Sequence, residues 1–187
     1  YDQLLPTILS RTQLIKIPKV NNSELMNVLK TKYQKSTDEA TRIVHMSDGS
    51  YRAAIELAEE ESSDKYEDVF LNWMRMCLNP IKNYDKLNEW IETMAKKKRE
   101  QIKNFMTFSL ETCRECMLIN YADASMVRFD EQQFPNLGKF SPFINQNNAD
   151  QFSKLLSEAH YQIERNANAK ILLLDLSFKL AKLLAIK

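Results

Sequence analysis

Residues 66–77 read Tyr66-Glu67-Asp68-Val69-Phe70-Leu71-Asn72-Trp73-Met74-Arg75-Met76-Cys77 and show the clearest periodicity in the chain. Large apolar side chains recur there every three or four residues, which places them on one face of an α-helix. These side chains are Tyr66, Val69, Phe70, Trp73, Met74 and Cys77. The stretch therefore predicts an amphipathic helix that begins at Ser63 and ends before Pro80.

Four further helices are predicted towards the carboxyl end. Apolar residues at helical spacing place them at about residues 87–94, 102–121, 149–163 and 167–186. The last is apolar nearly all round apart from a polar stripe at Asp175, Lys179 and Lys182, so most of its surface must be covered. Residues 122–148 lack this pattern and predict an ordered loop with a short helix inside it, anchored by Phe129, Phe134, Phe140 and Phe143.

Three shorter helices are predicted before the acidic run at residues 59–64. Asn22 is expected to cap the first, Ser36 and Glu39 have the spacing of a capping box for the second, and Ser50 can cap the third. Gly49 stands where the second helix must stop and can adopt the left-handed conformation there. The chain has only two glycines and five prolines, so tight turns are scarce and an all-α fold with short connections is expected.

The composition limits the classes of function. The 26 basic and 25 acidic residues are mixed along the chain, which argues against a nucleic-acid groove made by this chain alone. Three cysteines without a secretory signal indicate a reducing cytoplasm and no disulfide framework. No apolar run reaches the roughly 20 residues of a membrane span, so a soluble cytoplasmic protein is expected.

Residues 4–13 read Leu4-Leu5-Pro6-Thr7-Ile8-Leu9-Ser10-Arg11-Thr12-Gln13 and predict the end of a domain whose body lies upstream. The alternating segment 14–18 predicts a short extended piece. Further along, Gly49-Ser50-Tyr51-Arg52-Ala53-Ala54 begins the third helix, and Asn166-Ala167-Asn168-Ala169-Lys170 precedes the last one. In these motifs and their order, the chain resembles the clamp-loader subunits of bacterial DNA polymerase III, which belong to the AAA+ family. It resembles delta-prime more than gamma/tau, and it departs from the family's Ser-Arg-Cys by having Thr12 in place of the cysteine.

The resemblance implies a role for each part of the chain. Residues 1–18 would be the tail of a missing AAA+ nucleotide-binding domain, residues 19–62 a three-helix lid, and residues 63–187 a helical collar that assembles the clamp-loader ring. The ring loads the sliding clamp onto primed DNA, driven by ATP bound between neighbouring subunits. The implied partners are gamma/tau and delta through the collar, with the clamp and DNA reached by the whole complex. The parent subunit would be an accessory part of the polymerase holoenzyme.

Two arginines are the candidate site residues that the resemblance indicates. Arg11, with Ser10, would act in trans as an arginine finger, because a planar guanidinium stays charged and matches phosphate oxygens. Arg52 resembles the sensor-2 arginine that reports on the γ-phosphate. The alternatives are a surface arginine in a loop for Arg11 and an arginine in an exposed first helical turn for Arg52.

Other reactive residues predict no catalytic or metal site. Cys113 and Cys116 have the spacing of zinc or redox pairs, but no second pair is present, so buried positions on one helix face are expected. His45 and His160 are interpreted as ordinary helix residues, and Lys96–Arg99 as a solvated helix end. Neither glycine belongs to a phosphate-binding loop, so the chain is expected to hold no cofactor and to have no enzymatic activity of its own.

Three alternatives to delta-prime stay open. One is the gamma/tau subunit. Another is a different AAA+ replication or repair ATPase, such as a Holliday-junction helicase motor, with a similar lid and helical tail. The third is a free-standing helical adaptor with no nucleotide role, for which the Ser10-Arg11 match would be chance.

Overall fold

The computed structural model describes residues 7, 10–13, 15, 18–47, 49–59, 66–123, 127, 134 and 136–186. Within these ranges the regular structure is helical and contains no β-strand, so the predicted all-α fold is confirmed. The chain divides into two compact units, residues 1–60 and 61–187. This boundary lies two residues before the one expected between residues 62 and 63. None of the helices in the described ranges has the length and hydrophobicity needed to cross a bilayer.

The first unit contains three mutually contacting helices: α1 (Asn22–Lys32), α2 (Thr37–Ser47) and α3 (Tyr51–Glu59). Three of the buried positions between them are alanines, which allow the helices to approach closely. The buried cluster consists of Leu25, Leu29, Ala40, Ile43, Val44, Ala54 and Ala58.

Polar side chains fix the starts of these helices. Asn21 caps α1, its Oδ1 accepting from the Ser23 backbone N–H at 3.1 Å, so the prediction of Asn22 as the cap is wrong by one residue. The capping box before α2 is confirmed: Glu39 Oε2 accepts from the Ser36 N–H at 3.0 Å, and Ser36 Oγ accepts from the Glu39 N–H at 3.3 Å. These hydrogen bonds hold the pKa of the Glu39 carboxyl below its ordinary value.

Gly49 ends α2 in the left-handed conformation that the sequence predicts, with φ of +76°. Its carbonyl accepts from the Val20 N–H at 2.9 Å, and a Cβ at this position would lie only 2.8 Å from Lys19 Cβ. Ser50 Oγ then accepts from the Ala53 N–H at 3.3 Å and caps α3, as predicted. Glycine is therefore required here by both backbone conformation and space.

The second unit is built from longer helices. The pair α6 and α8 has the most extensive contacts, and α9 packs on α8, α5 and α4. The helices of the described residues are α4 (Tyr66–Cys77), α5 (Tyr84–Ala95), α6 (Arg99–Tyr121), α7 (Leu137–Phe140), α8 (Ala149–Glu164) and α9 (Ala169–Leu184), with the 3-10 helix Ser141–Phe143 following α7. The predicted start of α4 at Ser63, and most of segment 14–18, lie outside the described residues.

Aromatic side chains dominate the core of this unit. Trp73 of α4 stacks on Trp90 of α5, with ring centroids 5.1 Å apart and planes 10° apart, and both rings contact Phe105 of α6. Phe70 meets Phe140 of α7 edge-on at 5.3 Å. The aromatic pairs join four helices in one core, which accounts for the strong periodicity of residues 66–77.

Asparagine amides and phenylalanines together anchor the segment between α6 and α8. Asn120 Nδ2 donates to the carbonyls of Ser141 (2.7 Å) and Ile144 (2.8 Å), and Asn148 Nδ2 donates to Phe143 O and Leu183 O. The predicted short helix is confirmed at α7. Of the four predicted anchors, Phe134 and Phe140 are buried, Phe143 is partly exposed, and Phe129 lies outside the described residues.

Candidate functional site

Arg11 lies in an exposed turn of the first unit. Ser10 Oγ donates to the Thr7 carbonyl at 3.2 Å, and Ser10, Arg11 and Thr12 are all exposed. The guanidinium is therefore accessible to another molecule. An arginine in this position can bind a phosphate or carboxylate of a partner, and it has no role in the core of its own unit.

Arg52 lies at the second position of α3, next to Gly49 and the capping Ser50. Its Nε lies 2.8 Å from Glu56 Oε1, one helical turn later, and the arginine side chain is 90% exposed. A positive charge in the first turn opposes the helix dipole, and the pair with Glu56 offsets part of this cost. Both candidate arginines therefore belong to the first unit and both are accessible to solvent.

The three cysteines are buried, as predicted from their helical positions. Burial raises the pKa of the Cys77 and Cys113 thiols to about 12 and raises that of Cys116 as well, so the thiols stay protonated at neutral pH. In the described ranges, no group of three His, Cys, Asp or Glu side chains is placed to hold a metal ion. These thiols behave as small core side chains.

The two histidines differ in environment. His45 is exposed on α2, whereas His160 is half-buried on α8 close to Lys103 of α6. Burial, and then the Lys103 ammonium, lower the pKa of His160, while Glu164 and Glu100 act in the opposite direction. His160 is thus a titrating group in the contact between two helices.

In the Lys96–Arg99 run, Lys96–Lys98 connect α5 to α6, and Arg99 is the first residue of α6. Lys96, Lys98 and Arg99 are exposed, as expected for a solvated helix end. The structure adds what the run alone could not predict: the connection between α8 and α9 lies at the same end of the unit. Further basic side chains come from that second connection.

A groove of about 580 Å³ at the other end of the second unit was not predicted from the sequence. Its walls are apolar and its rim carries amide groups. The lining residues are Tyr121, Pro142, Phe143, Asn145, Gln146, Asn147, Leu184, Ala185 and Ile186. The stretch 145–148, rich in asparagine and glutamine, is the sequence feature that could have indicated this groove. It was not sufficient, because the α9 residues that complete the groove are distant in sequence.

Together these features provide accessible cations and a small apolar groove, a set suited to binding. Arg11, Arg52 and the basic connection can each contact an anion. Compared with known proteins, the chain matches no family model, no curated protein and no solved structure.

Proposed function

We propose that the chain is the lid and collar of a clamp-loader subunit of bacterial DNA polymerase III, of the delta-prime type. In this role the second unit assembles with gamma/tau and delta into the ring that loads the sliding clamp onto primed DNA. The first unit is the lid that connects the ring to the nucleotide-binding domains. ATP is bound at neighbouring subunits, and this chain supplies no catalytic centre of its own.

The observation that carries the proposal is an apolar stripe on the outer side of α9. Ile171 is 68% exposed and Phe178 36% exposed, and the half-buried Leu174 and Ala181 continue the same face at helical spacing. A helix in a bundle gains by burying such a stripe against another helix. Packing on a neighbouring subunit of similar topology would cover it.

Support for the lid assignment comes from the end of α2 and the start of α3. Gly49 in the left-handed conformation, the Ser50 cap and the accessible Arg52 give a local geometry in which an arginine projects from a helix start. Glu56 holds this side chain along the helix surface. A phosphate from a bound nucleotide can compete for the same guanidinium, since such an exposed ion pair contributes only about 0.3–0.5 kcal/mol.

Co-expression with the gamma/tau and delta subunits, followed by mass determination, tests the proposal. The expected result is a stoichiometric complex of about five subunits, the assembly that the resemblance implies. The double variant Ile171→Asp, Phe178→Asp should abolish recovery of the chain in that complex, because two carboxylates would have to be desolvated at the contact.

A matched control places the same charges on other exposed apolar residues. Ile81, 83% exposed, lies in the connection between α4 and α5, and Tyr84, 49% exposed, is the first residue of α5, so neither belongs to the α9 stripe. Ile81→Asp, Tyr84→Asp should leave assembly intact. A wild-type chain that stays monomeric in the presence of all subunits would contradict the proposal and favour the free-standing helical adaptor.

A further inference from the structure

Two ion pairs bring two connections to the same end of the second unit. Lys170 Nζ, on the first turn of α9, lies 2.7 Å from Glu92 Oε1 on the last turn of α5. Lys103 Nζ, on the first turns of α6, lies 3.8 Å from Glu164 Oε1 at the end of α8. The α5–α6 and α8–α9 connections are therefore neighbours, although about 70 residues separate them in the chain.

This end, defined as residues 92–103 and 161–172 and called the basic end below, has an uneven charge balance. It carries seven basic and three acidic side chains, an excess of four positive charges. The whole chain has a net charge of only +1, so the remaining residues have a net charge of −3. Residues 92–103 supply five basic and two acidic side chains, and residues 161–172 add two basic and one acidic, so folding extends the positive charge of the Lys96–Arg99 run with Arg165 and Lys170.

The acidic side chains of the basic end are held within it. Glu92 pairs with Lys170, and Glu100 and Glu164 both pair with Lys103. The Lys170 ammonium, with a smaller effect from Lys96, holds the pKa of the Glu92 carboxyl below its ordinary value. The surface beyond these pairs is cationic, since Lys96, Lys98 and Arg99 are exposed beside them.

The composition of the basic end favours a nucleic acid over an acidic protein. Its cations are mostly lysines, which are depleted in protein–protein interfaces but serve well as point charges against phosphates. An exposed aromatic ring is also present: Tyr161 is 53% exposed, and the Arg165 guanidinium carbon lies 5.1 Å from its ring centroid. Cations beside an exposed aromatic ring are the combination used to bind single strands.

We infer that the basic end binds the phosphate backbone of single-stranded nucleic acid, with Tyr161 and Arg165 available for stacking on a base. This inference does not depend on the clamp-loader role, because the binding would be a property of the chain by itself. About four phosphate contacts predict a salt dependence, log Kobs against log salt concentration, with a slope of about −3.

The test is fluorescence anisotropy of a labelled oligothymidylate titrated with the purified full chain at several salt concentrations. The triple variant Lys96→Gln, Lys98→Gln, Arg99→Gln should bind at least about tenfold more weakly at low salt and reduce the slope to about −1. The matched control Lys82→Gln, Lys139→Gln, Lys182→Gln removes the same charge from exposed lysines away from the basic end. It should bind like the wild type. Circular dichroism should show that both variants are folded.

Three results would overturn the inference. The first is no binding by the wild-type chain even at low salt. The second is an equal loss in the triple variant and its control, since this would reduce the effect to net charge. The third is competition by polyglutamate as strong as that by unlabelled oligonucleotide, which would assign the surface to an acidic protein. A Tyr161→Ala variant that binds single strands as well as the wild type would exclude the stacking contribution.

Discussion

The indole N–H of Trp73 donates a hydrogen bond of 2.8 Å to Ser177 Oγ, joining α4 to α9 across 104 residues of sequence. The Ser177 hydroxyl in turn donates to the Leu173 carbonyl at 2.6 Å, and both Trp73 and Ser177 are fully buried. Because a buried N–H is costly to leave without an acceptor, this bond favours one register of α9 on α4.

Replacing Ser177 with alanine should lower the free energy of unfolding of the second unit by about 1–3 kcal/mol, since the Trp73 N–H loses its acceptor. Both tryptophans of the chain lie in this unit, so urea denaturation followed by tryptophan fluorescence reports on it selectively. Ser157→Ala, at an exposed position on α8, is the control. If Ser177→Ala lowers the free energy of unfolding no more than the control does, the hydrogen bond contributes nothing to stability.

Gly49→Ala should destabilise the first unit by at least about 1–2 kcal/mol, because a left-handed backbone is unfavourable for alanine and the new Cβ would meet Lys19 Cβ and the Val20 carbonyl. Hydrogen exchange of the amides in α1–α3 measures the effect. Gly138→Ala is the matched control, since a Cβ there has nothing within 4 Å. Equal protection in α1–α3 of wild type and Gly49→Ala would contradict this account.

Gln34 is an unusual residue at the end of α1, because it has φ of +53° without being glycine. Gln34→Gly should stabilise the first unit by about 0.5–1 kcal/mol, after allowing for the greater freedom of glycine in the unfolded chain. Slower hydrogen exchange in α1–α3 is the expected observation. Asn166 after α8 has φ of +67°. Asn166→Gly should stabilise the second unit by less than this, because asparagine tolerates the left-handed conformation better. Faster exchange in Gln34→Gly would refute the prediction.

His160 should make the second unit less stable in acid. Its folded-state pKa is lowered below the ordinary value of 6.5 by burial and by Lys103, so the unfolded chain binds this proton more readily than the folded chain. Stability is then greatest above pH 6.5 and falls as the pH decreases through 6.5 towards the folded-state pKa. Below the folded-state pKa this group causes no further loss.

The measurement is the urea midpoint from tryptophan fluorescence on both sides of pH 6.5. His160→Gln should reduce the fall in stability on acidification, because the glutamine cannot be protonated in this range. His45→Gln, on the first unit, should leave the fall unchanged. If His160→Gln and wild type respond identically to pH, titration of His160 does not affect stability.

Much of the fold could be predicted because it depends on local signals. The helical spacing of Leu87, Trp90, Ile91 and Met94 and the Ser36–Glu39 capping box each act over a few residues, and the structure confirms them. The Trp73–Ser177 bond and the amides of Asn145 and Asn148 could not be predicted. They depend on which helices meet, and a lone serine or asparagine gives no sign of a partner 35 or 104 residues away.

The candidate sites show the same division. The burial of Cys113 and Cys116 followed from their positions on a helix face, and it is confirmed. The basic end could be predicted only as the run Lys96–Arg99, because Arg165 and Lys170 join it through the contact of two connections distant in sequence. Charge counted along the chain therefore underestimates charge collected on a surface.

Arg11→Ala should abolish most of the ATP hydrolysis at the one neighbouring site that the arginine reaches, and so remove that site's share of the ATP turnover of the assembled clamp loader. Arginine fingers contribute about 10³–10⁵ in kcat in GTPases, and the other ATP sites of the ring would keep their own activity. The experiment uses the full-length subunit in the complex, with steady-state ATPase measured after the subunit composition has been verified. The Arg11→Lys variant should recover little of the lost ATP turnover, because an ammonium lacks the planar, forked arrangement of N–H donors of a guanidinium.

The control is Arg75→Ala, which removes another exposed arginine, from α4 in the second unit, and should leave turnover unchanged. Because Arg11 lies in an exposed turn and has no part in the buried cluster of its unit, its removal should not disturb assembly. A complex that assembles normally and hydrolyses ATP at the wild-type rate with Arg11→Ala would therefore exclude the arginine-finger role. Arg11 would then be an ordinary surface arginine, and the clamp-loader proposal would rest on the α9 stripe.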